Sequence, residues 1–536
     1  MPPQRGFVHG AMLLAGAAMV AKLLGSVYTI VLQNVIGDSG MGLFQMAYPI
    51  YATLLAIATA GFPVAISKLV SEQLARGEDA EVRHTLRVAG WMLTGAGMVT
   101  FAILFFGADL WAKVAGDARA AWAIRAIAPA LLLVPVMSAL RGYFQGFQWM
   151  YPTAMSQVVE QFVRVATILV MAVWLMRQGY GQAAAAAGAA FGAVTGAFAG
   201  LLLLGYYWVT RHPELRSDHR LRRTRVRPGV ARRLLYYAFP ISLGALVVPL
   251  MNNVDVVTVV NLLKQTGEPQ AQATAEFGLL TGRAFKLMML PTTLASSIGI
   301  AVMPAVSEAF TLGFRRLMED RIDQAVRLTV LLSLPAAVGL ALLARPIDLA
   351  LFKDTAGSEV IQVMAFATVF ASLQTTLAAV LQGAGWVYLP VLHLLAGSAC
   401  KVAGNLAWVP SSGIRGAALS TVIGYTVATL LNLWAVRRHL RVRIDWLNWA
   451  VRPGLATFVM GGFVFAMSRQ WMMWGGLSQP REWVAAAAAA MVLGGGLIYF
   501  LALAACGALS RSELEAVPKV GPRLAAWCSK LGLLRT

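Results

Sequence analysis

Charge is scarce in this 536-residue chain: Asp, Glu, Lys and Arg make up 13% of it, against 58% hydrophobic residues and a mean hydropathy of +0.67. Ordinary soluble domains carry about 25% charged residues, so water is excluded as the main solvent. Cysteine is nearly absent. Cys400, Cys506 and Cys528 are odd in number, far apart and in no CxxC or Cys/His spacing, which leaves no expected disulfide and no expected metal site. Neither DxD nor HxxxD occurs, and His84, His212, His219, His393 and His439 are scattered. A membrane-embedded glycosyl- or acyltransferase would need such a motif, so no enzyme activity and no cofactor are expected. The 24 acids are outnumbered by 44 Lys and Arg. A formal net charge of +20 would point to nucleic acid in a soluble protein, but most of these basic residues occupy short connections between apolar runs, and no nucleic-acid partner is expected.

Apolar sequence is abundant, in runs of about twenty residues or more, each long enough to cross a hydrocarbon core of about 30 Å as a helix. Residues 183–204 are continuously apolar and rich in Ala and Gly, without the alternation of an outer-membrane barrel strand. The expected class is all-α integral membrane. Spans are expected near 8–34, 41–70, 87–108, 121–141, 154–176 and 183–209, then near 234–263, 278–306, 324–344, 359–382, 388–409 and 415–436, with two more near 452–468 and 483–506, about fourteen helices in all. The N-terminus could pass for a signal peptide, but its apolar stretch continues to Val35, too long for a cleaved segment, and reads as a retained first helix.

With both termini in the cytoplasm, the basic connections fall on one side: Arg76/Arg83/Arg87, Arg211 to Arg233, Arg315/Arg316/Arg321, Arg437 to Arg443, and Arg511 to Arg535. The opposite loops hold Asp38, Asp109, Asp117, Glu268, Glu276, Asp348 and Asp354. The expected organisation is a lobe at 1–210, a basic cytoplasmic linker at 211–233 that attracts anionic lipid headgroups, a second lobe at 234–440, two further helices within 441–506 and a tail at 507–536.

The two blocks are internal repeats. Gly42, Leu43, Ala65, Ser71, Glu72 and Gly77 fall in register on Gly278, Leu279, Ala301, Ser307, Glu308 and Gly313. In the fifth helices Gln145, Gly146, Trp149, Tyr151 and Arg164 fall on Gln382, Gly383, Trp386, Tyr388 and Lys401, and in the sixth GAAFGAVTG (188–196) meets GAALSTVIG (416–424). Six helices per copy is an even number, so both copies enter from the same face. This makes them parallel repeats about the membrane normal, two six-helix lobes around a central cavity, an architecture suited to alternating access.

Ionisable residues inside spans are costly and tend to face cavities. The deep ones are Lys22, Arg164, Arg283, Lys286 and Lys401, with Glu160 and Asp255 as the embedded acids. Lys68, Arg125 and Arg141 lie nearer span ends, where snorkelling to headgroups accounts for them. Glu160 and Arg164 are spaced i,i+4 and can pair. Lys22, Arg283 and Lys286 have no acid one helical turn away and need a partner on another helix, water or an anionic ligand. A phosphate or pyrophosphate suits such a positive cavity, with Lys22, Arg164, Arg283 and Lys286 as candidate substrate-binding residues.

In KLLGSVYTIVLQNVIG, GLFQMAYPIYATLLAIATAGFPVAISKLVSE and LQGAGWVYLP, the chain resembles the oligosaccharidyl-lipid flippases of the multidrug/oligosaccharidyl-lipid/polysaccharide exporter (MOP) superfamily, the group of stage V sporulation protein B and the lipid II flippases, over about residues 7–505. The resemblance implies two six-helix lobes plus two helices, flipping undecaprenyl-pyrophosphate-linked saccharide for peptidoglycan or a related polymer across the bacterial cytoplasmic membrane. It implies a lipid-linked oligosaccharide and membrane lipids as partners, and cell-wall synthesis enzymes as associates. Lys22 stands where those flippases carry a cavity arginine, and Arg283 resembles their eighth-helix arginine. Two further cavity arginines are replaced, by Tyr28 and by an apolar residue near Leu54 or Leu55. Where some relatives bind sodium, Asp255, Lys401 and Asn405 stand at the ligand positions, and the Lys401 ammonium would fill the place of the cation. The alternatives are a multidrug exporter of the same superfamily, whose cationic substrates would want cavity carboxylates, and a non-transporting scaffold of sporulation or cell-wall machinery.

The orientation is directly testable. In a background without native cysteines, Gly267→Cys should react with an impermeant thiol reagent in intact cells and Ser217→Cys should not; reversed labelling would overturn it.

Overall fold

The computed structural model describes residues 5–217, 229–442 and 445–507. Within that range the side chains of 211–217, and of most residues before Val27, Lys22 among them, lie outside the description. So do most of the basic linker and, from residue 508, the tail. Among the described residues every regular element is a helix. The cause is the solvent: hydrocarbon offers no hydrogen bonds, so each span must satisfy its backbone internally.

Twelve described helices are long and apolar enough to cross a membrane. Two helices are kinked at glycines held at positive φ, at Gly37 (φ 71) and Gly413 (φ 56). Each kink falls where the sequence separates two spans, between 8–34 and 41–70 and between 388–409 and 415–436. Only a residue without a Cβ adopts such a conformation readily.

Packing divides the chain into two compact units, Met1–Gly282 and Arg283–Thr536. The first contains α1 (Arg5–Thr59), α2 (Phe62–Ala75), α3 (Asp79–Phe106), α4 (Ala108–Val114), α5 (Ala120–Ile127), α6 (Ala130–Gly146), α7 (Tyr151–Arg177), α8 (Gly181–Ser217), α9 (Val230–Gln265) and α10 (Gln270–Gly278). Helix α1 is its hub, packing on α5, α7, α8, α9 and α10. The repeat register assigns α9 and α10 to the second block, whereas their packing is with the first. The two divisions follow different criteria, one sequence register and the other contact.

The second unit contains α11 (Phe285–Thr311), α12 (Arg315–Leu342), α13 (Ala344–Phe352), α14 (Ser358–Ala365), α15 (Ala367–Gly383), α16 (Tyr388–Ala435), α17 (Arg452–Met473) and α18 (Arg481–Ala505). One apolar cluster joins α11, α12 and α15 through Val306, Ile322, Val380 and Leu381. Another seats α17 and α18 on α12 through Leu331, Met460, Val464 and Met491.

Glycine sets how closely these helices approach. On α8, Gly188, Gly192, Gly196 and Gly200 recur every four residues and form a stripe against α7, the small-xxx-small pattern of membrane helix pairs. A Cβ on Gly192 would lie 2.9 Å from the Arg164 carbonyl oxygen, and one on Gly196 2.6 Å from that of Glu160. The repeat reappears in these contacts. Gly146 meets Ser67 O and its counterpart Gly383 meets Met303 O, while the Glu160/Gly196 approach has its counterpart in Gly397/Gly424. Gly42 and Gly278, equivalent in register, lie against each other: a Cβ on Gly42 would fall 2.1 Å from Thr274 O, and one on Gly278 2.0 Å from Asp38 O. Asp38 and Thr274 are themselves equivalent, so the contact is reciprocal, as a two-fold relation requires.

A branched side chain in the α7/α8 seam must push backbone apart. Gly196→Val should lower stability by about 1–3 kcal/mol, the usual cost of overpacking. A matched fall in folded yield and in detergent melting temperature would show it. Gly90→Val, where a Cβ would meet nothing within 4 Å, should change neither.

Candidate functional site

In the first unit the embedded acid Glu160 and two arginines form one cluster. Arg164 on α7 donates to Glu160 at 2.5 Å, the i,i+4 pair expected from spacing, and Arg141 on α6 donates to the other carboxylate oxygen at 2.8 Å. Arg141 also donates through Nε to Ser156 Oγ at 2.9 Å. The snorkelling expected for Arg141 is therefore corrected: its side chain is 13% exposed and turned inward, because α6 faces the Ser156/Glu160 edge of α7. Two guanidiniums on one carboxylate leave a net positive charge. Tyr28, Tyr48 and Tyr51 of α1 lie within electrostatic range of Arg164. The Arg164 Nε and the Tyr51 hydroxyl are buried without a hydrogen-bond partner among the described residues. Such orphaned polar atoms mark a place able to receive another polar group. Lys22 lies on α1 six residues before Tyr28, with its side chain outside the described residues.

Helices α9 and α10 are fastened to α1, α2 and the α4–α5 connection by polar contacts. Asn253 Nδ2 on α9 donates to Thr53 Oγ1 at 2.6 Å and to Pro49 O at 3.3 Å. Toward one end the Gly61 N–H donates to Ser242 Oγ at 3.1 Å, Arg233 pairs with Glu72 at 3.2 Å, and the Lys68 ammonium sits 3.9 Å over the Tyr237 ring. At the other end Lys264 Nζ donates to Gly116 O at 2.9 Å and Thr274 Oγ1 to Asp117 at 2.7 Å. Burial would raise the Asp117 carboxyl, but donation from Arg119 and Thr274 outweighs it and holds the group below the usual carboxylate range.

In the second unit Arg283 lies in a π-helical turn, Leu279–Ala284, that leads into α11. It is 2% exposed and donates to Asp348 at 3.0 Å and to Asp354 at 2.6 and 3.0 Å. Its guanidinium carbon also lies 4.9 Å from the Phe352 ring centroid. The partner that a buried Arg283 needs comes from two acids 65 and 71 residues on, which in the sequence show only as loop charges. Asp348 is wholly buried and also accepts from Ser358 Oγ at 3.1 Å. Burial pushes its carboxyl above the usual range despite Arg283. Asp354 is half exposed; burial is opposed there by Arg283 and the Ala356 N–H, which together hold it below that range.

Lys286 is half-buried on α11, one turn beyond Arg283. Lys401 and Asn405 are fully buried one turn apart on α16, and Asp255 is 4% exposed on α9. Asp255 belongs to the first unit and Lys401 to the second. The repeat sets Lys401 opposite Arg164, but Gly397 stands where Glu160 would be, so the acid that serves Arg164 has no counterpart on α16. No group of three or more His, Cys, Asp or Glu suited to a metal occurs among the described residues.

The polysaccharide biosynthesis protein family matches residues 7–310, more than half of the chain, and the MatE family matches 240–406. The chain is 31% identical to the lipid II flippase MurJ of Bacillus subtilis over 452 residues, 81% of this chain and 82% of the relative. It is also 31% identical to stage V sporulation protein B of the same organism over 521 residues, 96% and 98% of the two chains. Among solved structures it resembles lipid II flippase MurJ in an inward closed conformation, with a TM-score of 0.63 and 16% identity, covering 92% of this chain and 98% of that one. It likewise resembles an inward-facing MATE family multidrug transporter, with a TM-score of 0.64 and 15% identity, covering 81% and 98%. With the repeat, the kinked helices and the embedded ion clusters already in place, these matches establish that the chain belongs to the polysaccharide biosynthesis protein family of the MOP superfamily of membrane transporters.

Proposed function

We propose that this protein flips a polyprenyl-pyrophosphate-linked saccharide, lipid II or a related cell-wall precursor, across the cytoplasmic membrane by alternating access. The observation that supports this most is the Arg141–Glu160–Arg164 cluster: a net positive, tyrosine-flanked group embedded in apolar helices, in a chain whose relatives include a lipid II flippase. A buried excess of guanidinium favours an anion that would otherwise be costly to desolvate. A MATE-type exporter of cations would gain nothing from a carboxylate held between two arginines.

Lys22 and Arg164 of the first unit and Arg283 and Lys286 of the second are the candidate anion-binding residues. Arg283 would reach a phosphate by exchanging it for Asp354, the exposed member of its triad, while Asp348 stays in place. The contacts along α9 from Glu72–Arg233 to Gly116–Lys264 are single hydrogen bonds and ion pairs at partly exposed ends. Such contacts are worth about 1 kcal/mol each and can break and re-form in a transport cycle.

Depletion of the resident lipid II flippase, with this gene supplied, should be complemented. Arg164→Ala should reduce transport about tenfold to hundredfold, the loss of one charge-assisted contact of about 1.5–3 kcal/mol. Arg164→Lys should keep part of the activity, and Lys22→Ala combined with Arg283→Ala should abolish it. Normal growth of that double variant at wild-type protein levels would remove the basis for an anionic substrate, and failure of the unaltered chain to complement would argue for a scaffold.

Asp255 and Lys401 provide a separate test, of an ion pair taking the place of sodium. Unpairing one buried charge costs about 3–5 kcal/mol, whereas removing both costs far less. Asp255→Ala and Lys401→Ala should each lower folded protein, the double variant should recover much of it, and transport should proceed without sodium. Additive losses, or sodium-dependent transport abolished by Asp255→Asn, would rule the pair out.

A further inference from the structure

A cavity of about 450 Å³ opens in the second unit where α12, α13, α14 and α17 meet, at the end of α17 opposite its basic N-terminal turn. Phe465, Ser468, Arg469 and Met472 line it from α17 at spacings of i, i+3, i+4 and i+7, so a single face of the helix is turned toward it. Arg345, on the first turn of α13, and Gln362 of α14 stand on the other side. None of these residues belongs to the Arg283 triad or to the repeat-related positions.

Three features distinguish this cavity from an ordinary span end. It holds two exposed guanidiniums, and neither Arg345 nor Arg469 has a carboxylate partner among the described residues. An arginine that only snorkels needs no cavity beside it, whereas two converging on one cavity form a bidentate-capable anion site. The second feature is Ser468, 3% exposed on the cavity wall, whose hydroxyl has no hydrogen-bond partner among the described residues. A buried hydroxyl left so is unusual in a folded protein and is satisfied when an acceptor enters. The third is the apolar lining. Phe465 is 54% exposed, Met472 shares the cavity wall with it, and Leu342, also on that wall, packs against the cluster that seats α17 on α12, so flexible and aromatic surface adjoins the charged mouth.

Cationic mouth, orphaned donor and apolar wall in sequence match an amphiphile with an anionic head and a hydrocarbon tail. We propose that this cavity binds an anionic phospholipid of the bilayer, its phosphate held between Arg345 and Arg469, an ester or phosphate oxygen accepting from Ser468, and its acyl chain lying along Phe465 and Met472. Inorganic phosphate would satisfy only the mouth, and a zwitterionic lipid brings an ammonium that the two guanidiniums repel. The lipid is a ligand of the helix junction and does not depend on what the transporter carries.

The test uses the full chain, purified and reconstituted in nanodiscs, with photoreactive phosphatidylglycerol or photoreactive phosphatidylcholine as probes. Crosslinks of the phosphatidylglycerol probe should concentrate in the segment from Phe465 to Met473 and exceed those of the phosphatidylcholine probe there by about tenfold, a factor typical of one charge-assisted contact. Arg345→Gln with Arg469→Gln should remove that excess at an unchanged melting temperature, Arg345→Lys with Arg469→Lys should retain part of it, and Ser468→Ala should weaken it. Millimolar inorganic phosphate and a polyprenyl phosphate should leave the crosslinks in place. Equal labelling by the two probes, a Gln double variant that labels like wild type, or displacement by polyprenyl phosphate would each overturn the assignment.

Discussion

Close approach of helix backbones at glycine is the constraint from which the rest of this structure follows. Between helices in lipid there is no water to expel, so association depends on van der Waals contact and polar pairing, and both require the backbones to come near. The α8 stripe from Gly188 to Gly200 brings α7 close enough that Gly192 and Gly196 face the carbonyls of Arg164 and Glu160. The backbone positions of the candidate site are thus set by an absence of side chains on the neighbouring helix. Gly42 and Gly278 do the same for α1 and α10, where any Cβ would run into carbonyl oxygen.

Once the helices are that close, buried charge must be resolved locally. In the first unit one carboxylate serves two guanidiniums and leaves a surplus positive charge. In the second, one guanidinium serves two carboxylates, so the surplus has the opposite sign. The repeat therefore preserves backbone contacts, as in Gly146 with Ser67 and Gly383 with Met303, while its charged groups have diverged. Such a division is physically reasonable, because backbone proximity tolerates almost no substitution whereas an ion cluster can be rebuilt from any element within reach.

Packing also gives the repeat a second meaning. By register α9 and α10 open the second block, yet they are fastened to α1 and α2 by Asn253, Ser242 and Arg233, and to the α4–α5 connection by Thr274. The covalent repeat and the mechanical unit need not coincide in a transporter whose cycle consists of exchanging contacts between repeats. The comparisons with lipid II flippase and MATE structures place the fold in this class.

The sequence by itself determined what depends on solvent and on short-range periodicity. Hydropathy requires helices, the expected breaks between spans at 34–41 and 409–415 hold the two kinks, the register of Gly42 with Gly278 reveals the repeat, and i,i+4 spacing pairs Glu160 with Arg164. Tertiary structure decided everything that depends on which helices are neighbours. It turned Arg141 inward to Glu160, 19 residues away, supplied Arg283 with acids 65 and 71 residues along, and set an orphaned serine beside two arginines from separate helices. A hydropathy pattern reports how much a residue avoids water. It carries no term for the partner that makes a buried charge tolerable, because that partner is chosen by helix packing, which acts between residues at any separation along the chain.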